Sequence, residues 1–457
     1  MAKLSRRVDM CSGPLLKNIL IFTFPIMVSG VLQLLYNAAD IIVVGQFEGP
    51  ASLAAVGSTS SLSQLLVNMF MGLSVGACVC VAKSYGARDD DGVFKVVHTS
   101  MGLSVICGVV IAALGFIFAR PVLELMQSPE DVIDLSTLYL KIYFLGCPAT
   151  MVYNFGAAIL RSVGDTKRPL YFLIVSGAVN VVLNLFLVVV VRMNGVAGVA
   201  LATVISQVLS AVMVVACLCR SMESYRLRLR HLKIYKEKLG EILRIGIPAG
   251  VQSSLFSISN IMIQSSVNGF GSAAMAGNSA ASSVESFEYT LMNSFHQSAL
   301  SFTGQNVGAK QPERINKING ICALMVTAVG VLCGIVINLF GTQLLSIYNT
   351  DPTVISYGLI RFSVVARFYF LCGVMEVLLG GLRGMGNSFI PMLSSVIGVC
   401  GLRVVWIYTV FAADRSLYIL YWSYPVTWIV TIAAHFVTYV IVKRQCDRKL
   451  GEPAANH

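Results

Sequence analysis

Leu160-Arg161-Ser162-Val163-Gly164-Asp165-Thr166-Lys167-Arg168-Pro169 and Leu382-Arg383-Gly384-Met385-Gly386-Asn387-Ser388-Phe389-Ile390-Pro391 follow one pattern, 222 residues apart. Two further matches hold nearly the same offset. Ile19-Leu20-x-Phe22-x-Phe24-Pro25 answers Ile242-Leu243-x-Ile245-x-Ile247-Pro248, and Gly86-Ala87-Arg88 answers Gly308-Ala309-Lys310. An offset held to within one residue over three separate places marks an internal duplication.

Apolar runs of spanning length flank these repeats. They fall near residues 15–44, 53–82, 97–118, 135–160, 169–191 and 195–219, then 241–268, 273–304, 318–340, 354–382, 389–412 and 418–442. The chain therefore reads as an all-α membrane protein of twelve transmembrane helices in two six-helix repeats. Composition agrees: of 457 residues 56% are hydrophobic and only 12% charged, with mean hydropathy +0.77. An even number of spans returns the chain to its starting side, so the two repeats run parallel. Such a pair leaves a cleft between two lobes, and rocking the lobes exposes the cleft to each side in turn. A receptor or a membrane enzyme has no need of a duplicated bundle.

Loop charge gives the orientation. The even-numbered gaps hold Lys83, Arg88 and Lys95; Arg161, Lys167 and Arg168; a basic run from Arg220 to Arg244; Lys310, Arg314 and Lys317; and Arg383. Lys443, Arg444, Arg448 and Lys449 follow the last span. The odd-numbered gaps hold only Arg120, Arg192 and Arg415. Both termini are expected in the cytoplasm, with the protein in a bacterial inner membrane and no cleaved leader after Lys3, Arg6, Arg7 and Lys17. The net charge of +11 then serves topology and lipid headgroups, and nucleic acid is not expected as a partner. Residues 221–240 are read as a basic cytoplasmic linker, mainly solvated, between an N-terminal lobe over 1–220 and a C-terminal lobe over 241–457.

The twelve cysteines include no CxxC pair, so neither a zinc site nor a disulfide framework is expected. No GxxxxGK[ST], HExxH or GxSxG occurs, which speaks against direct ATP drive and against an enzyme. No catalytic residue, cofactor or resident metal is expected.

The repeated Leu-Arg-x-x-Gly-Asp-Thr-x-x-Pro loops resemble the multidrug and toxic compound extrusion (MATE) family. So do Tyr36-Asn37-Ala38-Ala39-Asp40 followed by Val44-Gly45-Gln46-Phe47, and Leu53-Ala54-Ala55-Val56-Gly57. The likeness runs through nearly the whole chain. It implies a V-shaped pair of lobes and secondary-active efflux of drugs or organic cations, driven by proton or sodium gradients. A monomer among membrane lipids is expected.

Acids inside spans are the sharpest chemical signal, because a charge in lipid is costly unless paired, hydrated or neutralised. Asp40, Glu285, Glu288 and Glu376 fall well inside. Gln33, Tyr36, Asn37 and Asp40 stand at i, i+3, i+4 and i+7, one polar stripe on an apolar helix, which points at an aqueous cavity. A carboxyl held there can take a proton from one side and release it to the other; a structural hydrogen bond between helices is the alternative. Asn180 and Asn184 share a face of span 5, Asn154 sits in span 4 and Thr203 in span 6. By the resemblance these surround the span 1 aspartate, although some relatives carry a second aspartate where this chain has Asn184. The ion-coupling set is therefore Asp40, Asn180 and Asn184, and Gln33, Tyr36, Asn37, Asn154 and Thr203 line the substrate cavity. Pro25 kinks span 1, and in relatives a bend there is linked to closing the N-lobe cavity.

In the second repeat Glu285, Glu288, Arg367 and Glu376 are expected to form a polar network. It is either a scaffold or a second cation site. A branch of the family with a glutamate in helix 7 and an aspartate in helix 10 is not matched in register by Gln252 and Glu376. His296 and His435 are read as hydrogen-bonded packing residues, and Lys141, Arg361 and Arg403 as snorkelling toward the outer surface. A flippase for lipid-linked saccharides is the alternative function. It would want several basic residues in the cleft.

Overall fold

The computed structural model describes residues 7–47, 50–125 and 130–451, and no strand occurs among them. The helices are α1 (Leu15–Phe47), α2 (Pro50–Gly86), α3 (Asp90–Leu125), α4 (Glu130–Leu145), α5 (Cys147–Ser162), α6 (Lys167–Leu185) and α7 (Gly195–Arg220). Then come α8 (Lys236–Asn268), α9 (Ser272–Gly308), α10 (Pro312–Ser346), α11 (Pro352–Val364), α12 (Tyr369–Gly384), α13 (Phe389–Ser395), α14 (Leu402–Tyr408), α15 (Val410–Ala413) and α16 (Leu417–Gly451). The side chains of Leu53–Gly57, and Lys3 and Arg6, lie outside the described residues.

Among the described residues nine helical stretches are long and apolar enough to cross a bilayer, and the pair α4–α5, bent by 45°, makes a tenth. α8 and α9 complete the twelve. They have spanning length, 33 and 37 residues, but carry too much serine, asparagine and glutamine to stand out as apolar. Large apolar side chains stay exposed along the helices, among them Phe24, Ile117, Val182, Leu324 and Leu339. In an integral membrane protein that surface meets lipid, not water.

The repeated loops are repeated in backbone as well as in sequence. Gly164 and Gly386 have φ of 91° and 92°. Each ends a helix: the amide of Asp165 donates to the Leu160 carbonyl at 2.9 Å, and that of Asn387 to Leu382 at 3.1 Å. This is a six-to-one closure that needs a left-handed residue, hence glycine. The next residue then caps the following helix. Asp165 Oδ1 accepts from the Arg168 amide at 3.1 Å, and Asn387 Oδ1 from the Ile390 amide at 3.4 Å, so either Asp or Asn serves. Arg88 and Lys310, also equivalent, share φ of 55°. The duplication is thus legible in the dihedral angles.

Some spans are broken where the sequence reads as continuous. α4 ends at Leu145, Gly146 makes the break, and Pro148, which has no N–H to donate, lies in the first turn of α5. Between α11 and α12 the chain takes a 3₁₀ turn at Ala366–Phe368. There α10 approaches closely: a Cβ at Gly334 would lie 3.0 Å from the Ala366 carbonyl oxygen, and one at Gly330 2.8 Å from Phe370 Cα.

The described chain forms two compact units. One holds Val28–Gly250 with the residues up to Val8; the other holds Asp9–Met27 with the residues from Val251 on. α1 therefore starts in the second unit and ends in the first, and α8 does the reverse. Residues 221–235 are largely exposed, as expected of a linker, but are anchored at several points. Tyr225 and Leu227 are buried, the Arg228 amide donates to His98 Nε2 at 3.0 Å, and the Tyr235 amide donates to Thr99 Oγ1 at 3.1 Å. α3 starts with polar side chains that catch the segment's backbone, which charge alone did not suggest.

Candidate functional site

α1, α6 and α7 of the first unit bring four polar side chains together. Asn184 Nδ2 donates to Asp40 Oδ1 at 2.5 Å and lies 3.3 Å from Asn180 Oδ1. Thr203 Oγ1 reaches Asp40 Oδ2 at 3.3 Å and the carbonyl of Val199 at 2.9 Å, and Asn180 Nδ2 lies 3.4 Å from Thr203 Oγ1. Helical spacing explains the set: Asn180 and Asn184 are one turn apart on α6, and the chain widens into a π turn at Phe186–Val190 just beyond. Asn180 and Asn184 are buried, while Asp40 is half-buried. Asn184 Oδ1 is also buried and finds no donor among the described residues. Which amide atom is oxygen follows from the hydrogen-bond pattern.

Beside the polar set lies an apolar cluster. Val43, Val44, Val188 and Val199 are buried together with Tyr139 packed against them. Asp40 thus sits where a polar stripe meets a dry cluster, so water is excluded from that direction.

Other expected residues are placed differently. Gln33 and Asn37 are exposed, and among the described residues neither is hydrogen-bonded to Asp40. Tyr36 is half-buried, and its ring rests on Gly177 of α6, where a Cβ would overlap it. Asn154 does not join the set, because its amide donates to the Thr150 carbonyl of its own helix at 2.8 Å. Pro25 is buried inside an unbroken α1.

The second unit departs further from expectation. Arg367 is not in the network: it lies in the 3₁₀ turn between α11 and α12 and is exposed. Its expected place is taken by Arg361, which does not snorkel but is buried. Arg361 Nε and Nη2 bind the Glu285 carboxylate at 3.0 and 2.6 Å, and its Nη1 donates to Asn278 Oδ1 at 2.7 Å. Tyr421 donates to the same Asn278 oxygen at 3.0 Å. Arg403 is buried too, over the Tyr424 ring at 4.1 Å and bonded to Asn260 Oδ1 at 3.0 Å. Lys141 lies over Phe116 at 5.1 Å.

Glu376 belongs to a separate cluster, with His296 Nδ1 3.2 Å from its Oε2. Arg383, expected as a loop charge, is buried and donates to Gln252 Oε1 at 2.9 Å. His435 Nε2 lies 3.0 Å from Ser395 Oγ. Glu288 stands alone: it is 2% exposed, and neither carboxylate oxygen has a hydrogen-bond partner among the described residues.

The sequence reading missed Gly177, Tyr139, Asn278 and Tyr421. Two carried a signal. Gly177 precedes Asn180 and Asn184 at helical spacing, and Asn278 stands two turns before Glu285 on one face of α9.

The MatE family model matches residues 25–186 and 248–409, well over half the chain and itself a duplicate. The chain belongs to the MatE family. This MatE chain is 28% identical over 434 residues to "Probable multidrug resistance protein YoeA" of Bacillus subtilis (strain 168), over 90% of this chain and 94% of that protein. It is 26% identical over 396 residues to "Probable multidrug resistance protein NorM" of Thermotoga maritima, over 85% and 84% of the two chains. The structure titled "Outward-facing conformation of a multidrug resistance MATE family transporter of the MOP superfamily" superposes with a TM-score of 0.89 at 22% identity, over 98% of this chain and 100% of that one. At that identity the likeness concerns the fold.

Proposed function

We propose that this MatE-family chain is a secondary-active multidrug exporter that moves organic, often cationic and amphipathic, compounds by alternating access in exchange for protons or sodium. It would work in a bacterial inner membrane with both termini cytoplasmic, as the basic loops suggest. The names of its curated relatives support multidrug export as the activity.

The observation that carries the coupling part is Asp40 with its Asn184 and Thr203 contacts, on an otherwise apolar span. An ionised carboxylate at this depth is stabilised by those donors. A protonated one loses little, because Asn184 can turn its amide and accept. The same turn would present oxygens of Asp40, Asn180, Asn184 and Thr203 together, the hard donors that such cations take. The buried oxygen of Asn184, without a donor, supports a site that exchanges a small cation. Gln33, Tyr36 and Asn37 on the same stripe would face the drug. The flippase reading is weaker, since the buried arginines Arg361, Arg383 and Arg403 already hold Glu285, Gln252 and Asn260.

The test is export of a fluorescent cationic dye from proteoliposomes under separately imposed proton and sodium gradients. We expect dye movement with at least one gradient, and its loss in Asp40→Asn with unchanged folding. Transport at the normal rate by that variant would remove Asp40 from the mechanism.

A further inference from the structure

At the end of the first unit where α6 begins and α7 stops, a cavity of about 580 Å³ opens. Its lining includes the guanidinium groups of Arg7, Arg168 and Arg220, the Glu223 carboxylate, and the apolar surfaces of Tyr171, Phe172 and Met213. Two of the charges are answered from within. Arg7 is paired with Glu223, and Arg168 Nε lies 3.1 Å from Asp165 Oδ2 while its Nη1 faces Cys217 Sγ at 3.4 Å. Arg220 is exposed and makes no hydrogen bond or ion pair among the described residues. The cavity therefore keeps one uncompensated positive charge, and Arg168 keeps N–H groups beyond those that Asp165 and Cys217 engage. That combination attracts an anion with several oxygens.

The apolar half indicates what the anion is attached to. Tyr171 is 59% exposed, and Ile174 and Val175 continue its exposed face one turn on along α6. On α7, Val212, 58% exposed, and Val208 do the same. This track is too apolar for water and leads from the arginines along the flank of two spanning helices. A free anion has no use for it, whereas acyl chains do. A tyrosine at the join also suits the headgroup level of a bilayer.

We propose that this cavity binds an anionic phospholipid, with the phosphate oxygens on Arg168 and Arg220 and the acyl chains along Tyr171, Ile174 and Val175 of α6 and Val208 and Val212 of α7. Basic recesses between membrane helices are suited to such headgroups, each basic side chain contributing roughly fivefold in affinity. The charged pairs around the cavity hold its shape when it is empty, so the lipid meets a formed site.

The experiment uses the full-length protein purified in detergent and titrated with phosphatidylglycerol, phosphatidylcholine, glycerophosphoglycerol or inorganic phosphate. Binding is followed by thermal shift and by lipid retained in native mass spectrometry. Phosphatidylglycerol should stabilise and be retained, and the other three should not. Arg220→Gln should weaken that retention about fivefold with an unchanged melting point in the absence of lipid. Arg168→Gln with Arg220→Gln should abolish it, while Arg415→Gln, an exposed arginine elsewhere, should leave it intact. Equal stabilisation by phosphatidylcholine, or full retention in Arg220→Gln, would overturn the site. Equal stabilisation by inorganic phosphate or glycerophosphoglycerol would show a free-anion site and overturn the lipid assignment.

Discussion

At the scale of single residues, the contact that matters most was half visible. The stripe on α1 and the pair on α6 mark Asp40, Asn180 and Asn184 by spacing alone. Nothing in spacing says which members of the stripe turn inward, so Gln33 and Asn37 read the same as Tyr36. The structure separates them through Gly177, whose missing side chain gives the Tyr36 ring its seat. Tyr36 lies one turn before Asp40. Gly177→Ala should therefore displace the ring and slow gradient-driven dye export several-fold, while a far-ultraviolet circular dichroism spectrum stays that of the parent. Export unchanged by this substitution would detach Tyr36 from the site. Asn184→Ala removes the shortest donor to Asp40. A hydrogen bond to a charged group is worth about 1.5–3 kcal/mol, so the concentration of driving ion at half-maximal export should shift by roughly ten- to a hundredfold. A direct measure is the dependence of initial rate on that ion.

At the scale of elements, the two acids of α9 part company. Glu285 holds Arg361 in a buried pair, and Glu288 holds nothing that is described. Breaking a buried pair from one side costs about 3–5 kcal/mol, since the other charge is stranded. Glu285→Gln should lower the melting temperature strongly in detergent. Glu288→Gln removes an unpartnered buried carboxylate and should leave the melting temperature unchanged or higher. If it nevertheless reduces export, Glu288 is a second cation site and not scaffold. Arg361 stays buried instead of reaching the outer surface because Glu285 and Asn278 take up its guanidinium. Arg367 falls in the 3₁₀ turn at Ala366–Phe368 and is exposed, away from the buried acids. The N-terminal segment offers a pH test outside the membrane. The hydrogen bond from Arg7 holds the Glu223 carboxyl below its ordinary range, against burial, which pushes it up. A depressed folded value means the contribution is present above the unfolded pKa and fades as pH falls through the folded one. Hydrogen exchange at the Val8 amide, bonded to the Gly164 carbonyl at 3.0 Å, should therefore speed up, after correction for intrinsic rates, only below about pH 4. In Glu223→Gln it should already be fast near neutral pH and show no further step on acidification.

At the scale of the whole chain, the duplication is the feature the amino-acid sequence carries most clearly. The two matched segments start at residues 25 and 248, the two prolines, so the family signature repeats within one residue of the offset read from the loops. α8 and α9 are poor membrane helices by composition, and the duplication supports reading them as spans. What no pattern revealed is that α1 and α8 each change unit part-way. The change comes after Met27 in α1 and after Gly250 in α8, two residues past Pro25 and Pro248. A proline inside a helix removes one backbone hydrogen bond and costs about 3 kcal/mol relative to alanine. In each helix the weakest point of the ladder thus lies where the chain leaves one compact unit for the other. If transport requires these helices to bend there, restoring the bond should oppose it. Pro25→Ala and Pro248→Ala should each raise the melting temperature and lower the maximal rate of export, leaving the half-saturating dye concentration nearly unchanged. The double variant should be slower than either. A higher melting temperature with an unchanged rate would mean the prolines are tolerated kinks, and a changed half-saturation with an unchanged rate would place them at the drug instead of at the hinge.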